Sequence, residues 1–396
     1  MSISIDTLIL FRPRKKQNIS CPFNQASFLI YLTHRVSKMP LNIIKRHIIY
    51  KNPQYYCGPG PSVVCNDQGH LTVVFRRVRS WLSENHAGHW HPSTETCLTH
   101  STDSGETWSP PQAFLSGYQC PDLTRLKDGT LVLSTHRLEL VSKEIHQKCP
   151  TGRGVIDTPW PGIHAGTYIW HSQDNGQTWS NFANLHRVPH IEPFHPNLPI
   201  PIAVRGNVIE TRDKRLLISA YTLPEPNTAQ LFESTDGGQT WSYLTPIAEG
   251  FNETYLLETT NGNLLAFLRG WEKEDTYLSQ STDSGTTWST PTQLCKGHPA
   301  CAVLLPNGQI FVAYGYRFPN EYGVRAQLLS ADCTPINNSE TIIRNDGATF
   351  DLGYPKACLL PNGQIYLTYY INRKTDAPDA TAPRYIEGCI LNIDGE

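Results

Sequence analysis

From Ile43 to the C-terminus the chain is built of short apolar runs, mostly four to eight residues long, separated by clusters of Gly, Pro, Asn, Asp and Ser. Runs of that length predict β-strands, and the turn residues between them predict that neighbouring strands pair through tight connections. One unit recurs six times: an apolar run, a short polar turn and a second apolar run. The turns fall at Gln68-Gly69, Asp128-Gly129, Arg212-Asp213-Lys214, Asn261-Gly262, Asn307-Gly308 and Asn362-Gly363, followed by runs such as Leu264 to Leu268 and Ile310 to Tyr314. Asp-Gly and Asn-Gly are strong hairpin signals because both residues tolerate the positive φ of a two-strand turn. No stretch has sustained helical periodicity.

A second pattern is interleaved with the hairpins. Ser-x-Asp-x-Gly-x-Thr-Trp occurs at Ser101 to Trp108, Ser172 to Trp179, Ser234 to Trp241 and Ser281 to Trp288, with Ser330-Ala331-Asp332 a decayed fifth copy. Its chemistry is that of a turn: the Asp accepts backbone N–H bonds, the Gly takes φ > 0, and the Trp packs between sheets. Identical repeated acids cannot build one asymmetric site, so these are scaffold residues. Fixed self-similarity with six hairpins predicts an all-β, six-bladed β-propeller with four-stranded antiparallel blades, Ile43 to Tyr50 closing the ring with the last blade. A β-sandwich with repeated hairpins has no need of a recurring Trp turn.

The four units resemble the Asp boxes of the sialidase (neuraminidase) superfamily. The resemblance covers residues about 58 to 393 and implies the propeller fold. Asp boxes also resemble those of propellers that only bind partners, so activity has to be argued from the site.

Composition narrows the setting. The chain has 396 residues, Gly 28 and Pro 30, as short strands and turns require. A net charge of −2 offers no general attraction to nucleic acid or an anionic membrane. No apolar run reaches the roughly 18 residues that span a bilayer, and Ser27 to Leu32, behind the basic stretch Arg12 to Lys16, is too short for a signal peptide. Residues 1–38 are expected to be a disordered extension and 39–396 a single propeller domain. The 11 Cys lack CxxC spacing, and Cys65, Cys301, Cys358 and Cys389 occupy apolar strand positions, as free thiols in a reducing, cytoplasmic setting do. No cofactor is expected.

Counting outward from each turn shows which residues gather at the far end of the hairpins. Glu253 falls almost opposite Arg269, His298 opposite Arg317 and Pro61 opposite Arg76. Asp122 approaches His136 and Arg137, and Tyr354 approaches Asn372 and Arg373. The Asp boxes fall at the other end. A rim of arginines with Glu253, Tyr354 and Asp122 is a candidate anion site, since guanidinium offers a carboxylate two parallel donors. The bland alternative is a ring of solvated arginines.

Within the resemblance, Phe251-Asn252-Glu253 through Arg269 is similar to the sialidase segment that supplies the acid partner of the nucleophile and one arginine of the carboxylate-binding triad. Gly353-Tyr354-Pro355 resembles the segment of the tyrosine nucleophile, and Tyr322 to Arg325 the approach to another triad arginine, with Arg317 its rival. A neutral phenol suits a reaction centre beside a substrate carboxylate, which repels an Asp or Glu nucleophile. Two departures stand out. Pro59-Gly60-Pro61 replaces the family's Arg-Ile-Pro, leaving Arg76 or Arg77 to substitute. The general acid is open among Glu84, Glu95, Asp122, His86, His89 and His91, in or near a loop, Ser80 to Cys97, with the His and Trp of a lid that stacks on sugars. Those histidines have no recognised metal-ligand spacing. The reading is a sialidase-like retaining exo-glycosidase for sialic acid or another acidic sugar. Tyr354, Glu253 and Asp122 are its catalytic residues, and Arg269, Arg325, Arg317, Arg76, Arg77, His298 and Arg137 bind substrate. Its partner is an acidic glycan. The alternatives are a non-catalytic glycan- or protein-binding propeller and a polysaccharide lyase using the same tyrosine.

Overall fold

A computed structural model describes residues 41–80, 93–149, 155–156, 161–180, 183–270, 275–379 and 381–393. The expected extension, residues 1–38, lies outside these, as do positions 81–92 of the loop between blade 1 strands. The described residues form six antiparallel sheets, the blades of a six-bladed propeller. Blade 1 runs from Tyr55–Cys57 and Ser62–Cys65 through Leu71–Arg79 and Glu95–Ser101 to Gln112–Ser116. Blades 2 to 5 open on Tyr118–Arg125, Ile202–Ala203 with Val208–Glu210, Phe251–Glu258, and Ala300–Leu304. Blade 6 takes Gly353–Leu359, Ile365–Ile371 and Tyr385–Ile393 from the C-terminal part and Leu41–Tyr50 from the N-terminal part, with Leu41 opposite Ile393. The ring therefore closes as the pattern of apolar runs predicts.

All six hairpins close in the same way. A backbone N–H bonds to the carbonyl four positions further on, across three turn residues, as from Thr259 to Asn263 and from Leu360 to Gln364. The register follows from that closure, so Leu257 faces Leu265 and Cys301 faces Ala313. The inner and second strands are apolar on both faces because each blade packs against two neighbours, giving clusters such as Phe311, Ala313, Leu367 and Tyr369.

The Asp boxes occupy the turn between third and fourth strands and are near copies of one another. In the first, Ser101 Oγ donates to Asp103 Oδ1 at 2.7 Å, Thr107 N donates to the same oxygen at 2.9 Å, and Trp108 Nε1 donates to Gly105 O at 3.2 Å. The third repeats these at 2.7, 2.9 and 3.1 Å. Each box glycine has positive φ and abuts the preceding blade: a Cβ on Gly105 would meet Tyr366, on Gly176 Leu98, on Gly238 His171 and on Gly285 Leu231, all within 2.8 Å. Hydrogen bonds from Thr178, Thr240 and Thr287, foremost among several, lower the carboxyls of Asp174, Asp236 and Asp283 to about 2. The decayed copy keeps only the Ser330 to Asp332 bond and a neighbouring turn. Blade 6 has no box because its fourth strand comes from the other end of the chain.

One short helix, Lys143–Lys148, capped by Ser142, is the only helix among the described residues, and no helix there is long and apolar enough to cross a membrane. Cys65, Cys301, Cys358 and Cys389 lie on strands as free thiols; Cys301 and Cys389 are buried and the other two half-buried.

Candidate active site

Three inner strands carry the same irregularity. In blades 2, 4 and 6 two residues face one across the hairpin: Cys120-Pro121, Asn252-Glu253 and Tyr354-Pro355. Such a bulge adds a residue and re-aims its side chain. Cys120 and Tyr354 sit in the left-handed region, at φ 51° and 47°, a conformation that costs a residue with a Cβ about 1–2 kcal/mol. All three bulges lie at the end of the hairpins away from the turns; Glu253 and Tyr354 meet directly, and Arg205 links Cys120 to both.

Tyr354 is the centre of this cluster. Its hydroxyl donates to Glu253 Oε1 at 3.1 Å and accepts from Arg269 Nη1 at 2.9 Å. Arg269 Nη1 also donates to Glu253 Oε2 at 2.8 Å, and Arg205 Nη1 pairs with Glu253 Oε1 at 2.9 Å. The guanidiniums of Arg205 and Arg317 lie over the Tyr354 ring, 4.1 and 4.7 Å from its centroid. Arg317 is held by Leu352 O, which accepts from Nη2 at 2.7 Å, and reaches Tyr370 OH. Tyr370 in turn donates to Asp351, which Arg384 pairs at 3.2 Å.

Electrostatics divide labour within the triangle. Burial pushes the Tyr354 phenol above its ordinary 10, although Arg205 and Arg269 pull the other way. Burial likewise raises the Glu253 carboxyl, but Arg205, Arg269 and Arg317 outweigh it and hold the group below its ordinary 4.5. The result is a neutral phenol hydrogen-bonded to an ionised carboxylate, the arrangement of a weak nucleophile beside its base. Tyr354 and Glu253 are 7% and 6% exposed. His298 lies beside Arg269, Arg317 and Arg205; burial first, then those charges, drive its imidazole strongly down, so it is neutral.

The expected arginines sort into two groups. Arg269 and Arg317 are in the cluster. Arg76 also reaches it: it is buried, donates to Gln119 Oε1 and has Arg205, Tyr370 and Asp351 as charge neighbours. Gly58 makes room for it, since a Cβ there would fall 1.8 Å from Arg76 Nη2. Arg76 thus enters the cluster from the strand that faces Gly58. Arg77 instead pairs with Glu95 at 2.7 Å and stacks on Tyr55. Arg137 pairs with Glu139 at 2.9 Å beside Tyr118. Arg325, on the third strand of blade 5, is taken up by Glu340 at 2.7 Å and Glu321 at 3.0 Å and lies on Tyr316. Third strands stand outside the axis, so the rival, Arg317, occupies the place expected of Arg325.

The facing residues differ from those expected, at Tyr354 because a bulge displaces the pairing and at Asp122 because the closure from Leu126 to Thr130 sets the register. Asp122 faces Ser134 rather than His136, and its carboxylate meets Lys356 across the channel. Gly58, not Pro61, bonds across to Arg76, and Gly353 faces Tyr370, which puts Tyr354 beside that ring instead of Asn372 and Arg373. Of the acid candidates, Glu95 and Asp122 are each in an ion pair, while Glu84, His86, His89 and His91 lie outside the described residues. Among the described residues no group of His, Cys, Asp and Glu is arranged to hold a metal ion.

Sequence reasoning missed Arg205, Cys120, Asp351 and Tyr370. Arg205 was only partly readable: counting out from the closure of Thr211 to Arg215 sets it against Tyr221, whereas the ladder breaks after Val208 and pairs Tyr221 with Ala203. Cys120 and Asp351 carried no comparable signal, because a bulge and a loop place them.

A propeller ring with an arginine-lined tyrosine at one end of its axis defines the class. The chain belongs to the BNR repeat-like domain family, whose model matches residues 155–367. It is similar to a protein of unknown function from Dyadobacter fermentans, at 29% identity and TM-score 0.78, covering 89% of this chain and 99% of that one. It shares the fold of the Hadza microbial sialidase Hz136, at 17% identity and TM-score 0.63, over 85% of this chain and 65% of that one. It shares it also with the intramolecular trans-sialidase of Ruminococcus gnavus, solved with oseltamivir carboxylate, at 14% identity and TM-score 0.59, over 86% and 95%. Among curated proteins, none matches the chain in sequence.

Proposed function

We propose that this protein is a retaining exo-glycosidase for sialic acid or another acidic sugar, with Tyr354 as nucleophile. The observation that carries the reading is the triangle of Tyr354, Glu253 and Arg269. In the first step the Tyr354 oxygen attacks the anomeric carbon, its proton passes to Glu253, and the bond to the leaving group breaks as that group takes a proton from solvent. Water then attacks the same carbon and gives up a proton to solvent, the phenolate departs, and Glu253 returns its proton to it. The arginines grip the sugar's carboxylate and stabilise charge as it develops. Arg269 bridges phenol and carboxylate and so keeps donor and acceptor aligned throughout.

The domain reading is proposed with it: residues 39–396 act as one propeller. The test is release of fluorophore from a sialoside and a panel of uronic-acid glycosides by the wild type, Tyr354→Phe and Glu253→Gln. Turnover by the wild type and its loss in both folded variants supports the mechanism. Full activity in Tyr354→Phe sinks it, and an unsaturated product absorbing in the near ultraviolet replaces it with a lyase. Binding without turnover of any glycoside leaves a glycan-binding propeller.

A further inference from the structure

All cysteines among the described residues are free. Most sit where burial foremost pushes the thiol up, to about 12 at Cys97, Cys301 and Cys389. Cys65 and Cys358 are placed differently. Cys65 is the last residue of the inner strand of blade 1, and Cys358 the last but one of the inner strand of blade 6. These strands pack against each other where the first and last blades meet, and both side chains lie on one apolar cluster with Val63, Leu360 and Tyr366. A hydrogen bond joins the two sulfurs. Cys65 Sγ donates its own proton to Asn66 O at 3.2 Å, so Cys358 is the donor between them.

The pair is also reachable from solvent. Both residues are half-buried and line a cavity of about 630 Å³ at the turn end of the axis, to which the six blades contribute Cys65, Arg125, Arg212, Glu258, Leu304 and Cys358 in turn. Tyr354 lies at the other end. The bond from Cys358 foremost, with Arg125 in support, holds the Cys65 thiol below its ordinary 9 against burial and Asp67, whereas the same bond and burial push Cys358 well above it. One sulfur is set to be the thiolate and the other to stay a thiol, the division that a nucleophile and its resolving partner need.

We propose that Cys65 and Cys358 are a site of reversible oxidation by peroxides, closing a disulfide that clasps the first blade to the last. The pair shares no residue with the Tyr354 cluster, and its chemistry stands whether or not the protein hydrolyses a glycoside. The Cys65 thiolate attacks one oxygen of hydrogen peroxide and the O–O bond breaks, giving a sulfenic acid and hydroxide. The Cys358 sulfur then attacks the sulfenic sulfur, the S–O bond breaks, and the hydroxyl leaves as water with the Cys358 proton. Two electrons have passed from the sulfurs to the peroxide. A dithiol reductant returns both thiols through a mixed disulfide. Because the two residues are separated by most of the propeller sequence, the bond constrains the unfolded chain and stabilises the closed ring.

The experiment treats the reduced full chain with hydrogen peroxide, alkylates the remaining thiols in denaturant and maps tryptic peptides by mass spectrometry. The expected product joins the peptide of Cys65 to that of Cys358, about 2 Da lighter than the two thiol peptides together, while Cys301 and Cys389 are still alkylated. Cys57 shares the tryptic peptide of Cys65, so fragment ions assign the sulfur. Dithiothreitol should restore both thiols. In Cys358→Ser the cross-link should vanish and dimedone should label Cys65 as its sulfenic acid. The oxidised wild type should melt about 5 °C or more above the reduced protein, a difference lost in Cys358→Ser. The wild-type map decides even if that variant fails to fold. Both thiols still alkylated after peroxide, or a cross-link from either to another cysteine, overturns the site, and equal melting temperatures of the oxidised and reduced wild type overturn the clasp.

Discussion

The two ends of the propeller are built on opposite principles. At the Asp-box end, four turns repeat one set of hydrogen bonds, with the Ser to Asp contact between 2.7 and 2.8 Å in every copy. At the Tyr354 end the blades contribute unequally: Arg76, Cys120, Arg205, Glu253 with Arg269, Arg317 and Tyr354 come from blades 1 to 6 in turn, four of them supplying an arginine and only one each the thiol, the carboxylate and the phenol. Repetition serves a ring, whose every blade has the same packing problem. A site for one asymmetric molecule requires that symmetry be broken, and bulges in alternate blades break it locally without disturbing the strands below.

The largest effect should come from the asymmetric end. Tyr354→Phe is expected to lower kcat by about 10⁴-fold or more, as loss of a nucleophile does, and Glu253→Gln by about 10² to 10⁴-fold, with thermal melts of the Phe variant close to wild type. The pH profile sharpens this. Glu253 is held below 4.5 in the folded protein, so its base form persists at that pH, and the acid limb of kcat/KM should lie below it. The same sign governs stability: the contribution of ionised Glu253 is complete above its unfolded value and is lost as pH falls through the folded one. An acid limb well above pH 4.5 would mean that another group is the base.

At the symmetric end the cost is stability. Trp241, 7% exposed, fills the joint between blades 2 and 3. Trp241→Ala should destabilise by about 3–5 kcal/mol, read by denaturant unfolding, while KM of the remaining folded protein for the proposed substrate stays near wild type. A change in KM larger than the change in stability would show that the two ends are coupled.

Why was the scaffold legible and the site only in part? Turn chemistry is local: Asp, Gly and Thr within eight residues specify the box, and Asn-Gly specifies the hairpin, so repeat number and blade order could be read directly. Counting across a hairpin also worked as far as a bulge, bringing Glu253, the first bulged residue met from the turn, to Arg269. It failed at Tyr354, where a bulge inserts a residue that no composition announces, and at Asp122, where a count centred on Asp128-Gly129 misses the closure from Leu126 to Thr130 that sets Asp122 against Ser134. It failed differently at Arg325. The residues before that position are similar to the family's, but whether an arginine points to the axis depends on the strand it occupies, and Arg325 lies on a third strand with Glu321 and Glu340 within reach. The placement of Arg76 in the cluster required knowing that Gly58 faces it, which is a matter of register.

Gly58 offers a smaller and more specific probe of the asymmetric end. In Gly58→Ala the new Cβ would fall on Arg76 Nη2, and the guanidinium, being the far end of a flexible chain, moves before the backbone does. Stability should fall by no more than about 1–3 kcal/mol, the usual range for overpacking. On the proposed reading, in which Arg76 grips substrate, the expected result is a KM raised about tenfold with little change in kcat. A fall in kcat with KM constant would assign Arg76 to the reacting centre instead.

The smallest effect is expected at Arg325, and it decides between two arginines. Arg325→Ala removes two ion pairs to the partly exposed Glu321 and Glu340, contacts of a kind worth at most about 1 kcal/mol together with the lost stacking on Tyr316. KM and kcat should stay within about twofold of wild type. Arg317→Ala, by contrast, takes a guanidinium from above the Tyr354 ring and from Leu352 O, and KM should rise at least about tenfold, a loss of about 1.4 kcal/mol or more. If the two variants exchanged these results, the carboxylate would be held from the third strand of blade 5. The bulged inner strands would then be scaffold like the other end, and the contrast between the two ends would fail.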